Sequence, residues 1–290
     1  MAPTYNTIKI DGLKIFYREA GLTDAPVIVM LHGFPSSSHM FRDLIRALQD
    51  EYHLIAPDYP GFGNSDRLPI NEFAYTFDHL SEVMEKFLHT LGLKKFSLYM
   101  QDYGGPIGFR IAVKRPDWIE ALIIQNTNAY EEGLTQLFKR LRPLWGKKTS
   151  MTEWRANKTF GPAGTKWQYV HGAHDKGKIS PDAWNMDQYF LDKPHNHIIQ
   201  LTLQADFGSN LKRYPEWQDY FRKHQPPTLV VWGKNDKIFS PQGGEMYKRD
   251  LKNIEVHMLD AGHFALEEEC DAIAAHIRRF LKINRLTKTA

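Results

Sequence analysis

The chain has 290 residues, 42% hydrophobic and 24% charged, with a formal net charge of +3 and one cysteine, Cys270. That length suits one large α/β domain with an inserted lobe. The thin, dispersed basic excess argues against a nucleic-acid partner; one cysteine excludes an intrachain disulfide; and no apolar run reaches the ~18 residues of a membrane span. The N-terminus, M-A-P-T-Y-N-T-I-K-I, lacks the apolar core of a secretory leader, so a cytoplasmic protein with no membrane partner is expected.

In chain order, T-I-K-I (7–10) and L-K-I-F-Y (13–17) flank Asp11-Gly12, a hairpin signal. V-I-V-M-L (27–31) and H-L-I-A-P (53–57) are continuous apolar runs, as expected of strands buried on both faces. Phe77, Leu80, Met84, Phe87 and Leu91 recur at helical spacing before Gly92, which predicts a helix over 75–91. F-S-L-Y-M (96–100) reads as a strand, 104–115 as a helix stopped by Pro116, and A-L-I-I-Q (121–125) as a further strand. Such alternation predicts a mostly parallel sheet covered on both faces.

From about 130 to 220 the strand runs vanish, and five of the seven tryptophans fall there. So long a stretch is no loop inside a compact domain. Helical patterns at 134–145 and 183–191 predict a helical insertion instead. The alternation resumes with T-L-V-V-W-G (228–233), I-E-V-H-M-L (254–259) and a helical stripe of Ile273, Ile277 and Phe280 in 267–281, before a polar tail. The expected organisation is a core of 1–130 with 221–290, carrying a cap at 131–220.

Three ionisable residues fall just after strands, where open parallel sheets build their sites. Asp102 ends the strand 96–100 in Q-D-Y-G-G and precedes a helix, the layout of a nucleophile elbow. Taken alone, it reads as well as a helix N-cap. The usual small residue two before the nucleophile is replaced by Met100, whereas Gly104 fills the second small position. Asp236, in W-G-K-N-D-K, is by itself ordinary turn chemistry. His263, in A-G-H-F, is one of 13 histidines. Together they follow the chain order nucleophile, acid, histidine. H-G-F-P (32–35) also follows a strand and can offer the Phe34 amide to an anion, with the Tyr103 amide as the second donor.

At these residues the chain resembles the α/β-hydrolases of the haloalkane dehalogenase and epoxide hydrolase group. The carriers are H-G-F-P at 32–35, D-Y-P-G-F-G-N-S-D at 58–66, Q-D-Y-G-G at 101–105, W-G-K-N-D at 232–236 and A-G-H-F at 261–264, so that the likeness spans about 7–282. The resemblance implies an eight-stranded, mostly parallel sheet with helices on both faces and a helical cap after the sixth strand. It makes Asp102, His263 and Asp236 the catalytic residues and Phe34 and Tyr103 the oxyanion hole. A carboxylate, with a reference pKa of about 3.9, is already ionised at neutral pH. It suits displacement at an sp³ carbon to give an ester on the enzyme. Attack on a carboxylic ester would give an anhydride, which argues against an ordinary esterase.

The expected reaction therefore has two steps: Asp102 displaces a leaving group from an alkyl carbon, then His263, oriented by Asp236, activates the water that hydrolyses the ester. It needs no metal and no organic cofactor. The expected partners are a small apolar organic substrate and water; nothing in the sequence fixes the oligomeric state. The leaving group stays open. Relatives that release halide usually carry tryptophan after the nucleophile, where this chain has Tyr103, although Trp145 or Trp154 of the cap can supply an indole donor. Epoxide hydrolases use a cap tyrosine where this chain has Phe207; Tyr214 is near but out of register, leaving Tyr169 or Tyr189 for that part. Gln101 leans towards dehalogenases, Phe34 towards epoxide hydrolases or haloacid dehalogenases. Dehalogenase-like hydrolysis is the leading expectation, epoxide opening the alternative, and a non-catalytic ligand-binding homologue a third. Phe34, Tyr103, Trp145, Trp154 and Phe207 are the expected pocket residues.

Overall fold

Eight strands, β1 (Thr4–Ile10), β2 (Leu13–Ala20), β3 (Val27–Leu31), β4 (His53–Pro57), β5 (Phe96–Gln101), β6 (Ile119–Gln125), β7 (Thr228–Gly233) and β8 (Ile254–Leu259), form one sheet. Their order is β1-β2-β4-β3-β5-β6-β7-β8. The computed structural model describes residues 2–286 except 143–144, 147–148, 150–152 and 155–157. β1 and β2 form the expected hairpin, and β2 pairs antiparallel with β4. The remaining pairings are parallel.

The central strands are buried on both faces because helices cover both. Alternate residues point to opposite sides. Val29, Leu31, Leu98, Met100, Leu122, Ile124, Val230 and Trp232 join one core layer with helices Phe77–Thr90 and Gly104–Lys114. Ile28, Met30, Tyr99, Ile123, Leu229 and Val231 join the other, under helices Arg42–Leu48 and Ala265–Ile283.

The segment between β6 and β7 carries the helical insert: helices Gln136–Leu141, Pro162–Val170, Pro181–Leu191 and Asn196–His224. The last, 29 residues long, is absent from the patterns read above. Its buried side chains Ile199, Leu203, Phe207, Asn210, Tyr214, Trp217 and Phe221 follow a three-four spacing. The stripe is masked in the sequence by polar Asn210, which binds Arg110 of the core at 2.8 Å, and by Pro215 within the helix. Trp217 and Phe221 pack on Phe109, at ring separations of 5.2 and 5.4 Å. This helix thus starts in the insert and ends on the core. Among the described residues no helix is long and apolar enough to cross a membrane.

Candidate active site

The site is built where β3, β5, β6, β7 and β8 end. Asp102 follows β5 with a left-handed backbone, φ 48°, a conformation that costs a non-glycine residue about 1–3 kcal/mol. Its amide donates to Asn126 O at 3.3 Å, and its carbonyl accepts the Thr127 hydroxyl at 2.7 Å. Close packing completes the turn: a Cβ on Gly104 would lie 2.1 Å from the Leu31 carbonyl oxygen. The large Met100 is accommodated by Gly108 on the following helix, whose added Cβ would meet the Met100 sulfur at 2.4 Å. A glycine moved to the helix thus serves the strand–helix approach that a small residue on the strand usually provides.

Asp102 does not cap that helix. The helix begins at Gly104 with Tyr103 at its N-cap position and no capping side chain. The Asp102 carboxylate instead accepts the Phe34 amide at 2.8 Å through Oδ1, and the Tyr103 amide also bonds it. Both amides expected to face an anion therefore already face this carboxylate. Phe34 joins Pro35 through a cis peptide bond. Burial pushes the Asp102 acid up, against the opposing pull of His263 and of these two amides.

His263 Nδ1 lies 2.8 Å from Asp236 Oδ2, and its Nε2 lies 3.7 Å from Asp102 Oδ2. All three side chains are buried. Burial pulls the imidazole pKa down, but the Asp236 and Asp102 carboxylates outweigh it and leave it raised. Asp236 carries more than the histidine: Oδ2 also accepts Asn126 Nδ2 at 2.8 Å, and Oδ1 accepts the Ile238 amide at 2.7 Å. Asn126 in turn accepts the Gly233 amide at 2.9 Å, so it ties the end of β6 to the loop that carries the acid. Sequence reading did not single it out; a polar residue directly after an apolar strand, Q-N-T-N, was the available signal.

His32 has a different part. It is fully buried, stacked on Tyr59 at 4.1 Å, and accepts the Tyr59 hydroxyl through its carbonyl at 2.8 Å. Burial lowers its pKa to about 3, so the ring is neutral and structural. Asp58 accepts the Ser38 and Asn64 amides at 2.7 and 2.8 Å, which pins the D-Y-P-G-F-G-N-S-D loop beside it.

Above the carboxylate stands an aromatic shell. Tyr103 packs on Phe34, Phe77 and Phe207 at ring separations of 5.7, 4.9 and 6.2 Å. Burial and the Asp102 and Asp206 charges hold its phenol well above the usual range, so it stays protonated and can donate. Trp145 lies one layer further out, against Phe207 at 5.5 Å. Trp154 is not brought in: it is 53% exposed, with Lys158 over its ring. Phe77 and Phe138, which sequence reading left out, are brought to Phe207.

The candidate tyrosines of the insert are engaged elsewhere. Tyr169 donates to Asp187 and stacks on Phe264 at 3.9 Å. Tyr189 is exposed and held by Lys193, and Tyr214 packs on Trp217.

Comparison with known proteins agrees with this fold. The profile of the alpha/beta hydrolase fold matches residues 26–269. An uncharacterised hydrolase of Saccharomyces cerevisiae, YNR064C, is 42% identical over 277 residues, 92% of this chain and 93% of the yeast protein. Haloalkane dehalogenase 2 of Mycobacterium tuberculosis is 28% identical over 271 residues, 91% of this chain and 90% of that protein. The crystal structure of haloalkane dehalogenase DbeA from Bradyrhizobium elkani has the same fold, with a TM-score of 0.83 at 19% identity over 98% of this chain and 99% of that one.

Proposed function

This chain belongs to the α/β-hydrolase fold family, and on that premise we propose that it is a hydrolase whose nucleophile is Asp102. The carrying observation is the buried alignment of Asp102, His263 and Asp236, in which His263 is hydrogen-bonded to Asp236 and lies 3.7 Å from Asp102, with the Phe34 and Tyr103 amides on the nucleophile. In the first step an Asp102 oxygen bonds to an alkyl carbon as the leaving group departs with its electron pair. In the second, water gives a proton to His263 Nε2 while its oxygen adds to the Asp102 carbonyl carbon. The two amides stabilise the resulting oxyanion; one such donor is worth about 3–4 kcal/mol of barrier. Collapse expels the alkoxide, which takes the proton from His263 and leaves as the alcohol, while the water's second proton stays on the regenerated Asp102 carboxyl group and is lost to solvent. Helices of the insert, residues 131–220, act as a cap that keeps bulk water from the ester.

The leading substrate class is a small haloalkane. The aromatic shell around Tyr103 favours an apolar substrate, the hydroxyls of Tyr169 and Tyr189 are engaged by Asp187 and Lys193, and the Tyr214 ring packs on Trp217. Epoxide opening is the second reading, favoured by one observation: the protonated phenol of Tyr103 beside the nucleophile can donate to an epoxide oxygen. Replacing the base separates the two. His263→Ala, incubated with a short bromoalkane and separately with styrene oxide, should retain the ester on the peptide containing Asp102, read by mass spectrometry. A bromoalkane adduct supports the first reading, a styrene oxide adduct the second; an adduct from neither overturns the alkyl-ester route.

A further inference from the structure

Gln101, the last residue of β5, is fully buried, and its Nε2 lies 3.1 Å from His263 Nε2. That is the nitrogen which must take the proton from water. Its other nitrogen, Nδ1, is committed to Asp236, so in the neutral ring Nε2 carries only a lone pair and Gln101 must donate to it. Gln101 Oε1 is buried with no hydrogen-bond partner, lying beside Gly33, where an added Cβ would come within 2.2 Å of it. A buried acceptor without a donor costs free energy comparable to a lost hydrogen bond, and buried polar atoms are rarely left so.

Both facts have one explanation in the chemistry of the amide. Its oxygen and nitrogen exchange places when the group turns over about the Cγ–Cδ bond. An imidazolium has no lone pair, so its Nε2–H needs an acceptor where the neutral ring needs a donor. We propose that Gln101 is a positioning residue whose amide follows the proton on His263: N–H towards the neutral ring, Oε1 towards the imidazolium. This rests on the hydrolytic step described above. The incoming water displaces the Gln101 N–H from the Nε2 lone pair, its O–H bond breaks, its oxygen bonds to the Asp102 carbonyl carbon, and the proton reaches Nε2. The turned amide then accepts from the new Nε2–H until the departing alcohol takes that proton.

Two variants and two readouts test this. Gln101→Leu keeps the bulk and removes both polar ends. Mass-spectrometric single turnovers should give ester formation within threefold of the parent and ester decay slowed at least tenfold. Equal decay in the two proteins, or equal losses in formation and decay, would overturn the proposal. Gln101→Glu offers only an acceptor when ionised. The His263 ring titration, followed by NMR without substrate, should then rise by at least one pH unit, and an unchanged midpoint would refute the contact. Because the NMR arm needs no turnover, it judges Gln101 even if the parent protein forms no ester, a result that would count against the function alone.

Discussion

Replacing Asp236 with asparagine tests the division of labour between the two steps. The Asp236 carboxylate meets three donors: His263 Nδ1–H, Asn126 Nδ2–H and the Ile238 amide. An asparagine side chain has one oxygen and one NH₂, so in either orientation its NH₂ confronts at least one of them. Turned towards Ile238, it leaves buried donors facing each other, at about 1–3 kcal/mol. Turned towards His263, it forces the proton onto Nε2 and the lone pair onto Nδ1, which removes the base from the water. Either way the imidazolium loses the charge that stabilises it. In the serine triad the corresponding change costs about 10⁴ in rate, or about 5.5 kcal/mol. The first step does not use His263 as a base, so leaving-group release should persist for one equivalent and then stall. Quenched-flow measurement of the released group, with intact-protein mass spectrometry of the adduct, reads both phases. The pH dependence has a definite sign. The carboxylates now hold His263 above its ordinary pKa; without Asp236 burial dominates, so the acid limb of residual ester hydrolysis should move to lower pH. Steady-state turnover like the parent's, or equal loss of both phases, would refute the reasoning.

Two further outcomes follow from the surroundings of the site. Asp187, on the insert helix Pro181–Leu191, is buried, and desolvation raises its pKa to about 7, so the unfolded chain releases this proton first as pH rises. Its contribution to stability is present at low pH and lost between about pH 4 and 7; in Asp187→Asn the fall in melting temperature from pH 5 to pH 8 should be smaller than in the parent, and equal falls would count against it. Gly104→Ala puts a Cβ against the Leu31 carbonyl oxygen, a backbone atom of β3; chemical denaturation should report a loss of about 3 kcal/mol or more, and a loss below 1 kcal/mol would show that β3 can give way.

Much of this molecule can be read in its sequence because the relevant signals are local. The strands are either continuous apolar runs, as in β3 to β7, or alternating patterns, as in β1, β2 and β8, bounded by turn residues, and the three catalytic candidates follow β5, β7 and β8 within four residues. Spacing alone left Asp102 divided between cap and nucleophile; what separates the two is the Phe34 amide, 68 positions away in the chain. Asn126 and the Gln101–His263 contact are likewise long-range and leave no periodic trace. The Asn196–His224 helix was obscured for a different reason: tertiary contacts, Arg110 on Asn210 among them, override a local pattern that looks broken. Trp154, exposed on the insert, marks another limit, since composition cannot tell which of several tryptophans in a helical insert faces inward.

The stack of Tyr169 on Phe264 joins the insert to the residue that follows His263. The two rings are nearly parallel, 6° apart with centroids 3.9 Å apart, so each forms a flat wall against which the other packs. An insert borrowed from a relative would therefore have to match this one ring before it could match any substrate. Transplanted segments lacking an aromatic side chain at that point would leave Phe264 without its support, and the looseness would be inherited by His263 next to it. The interchangeable part of this protein is consequently less modular than its place in the chain implies: it brings with it one wall of the machinery it covers.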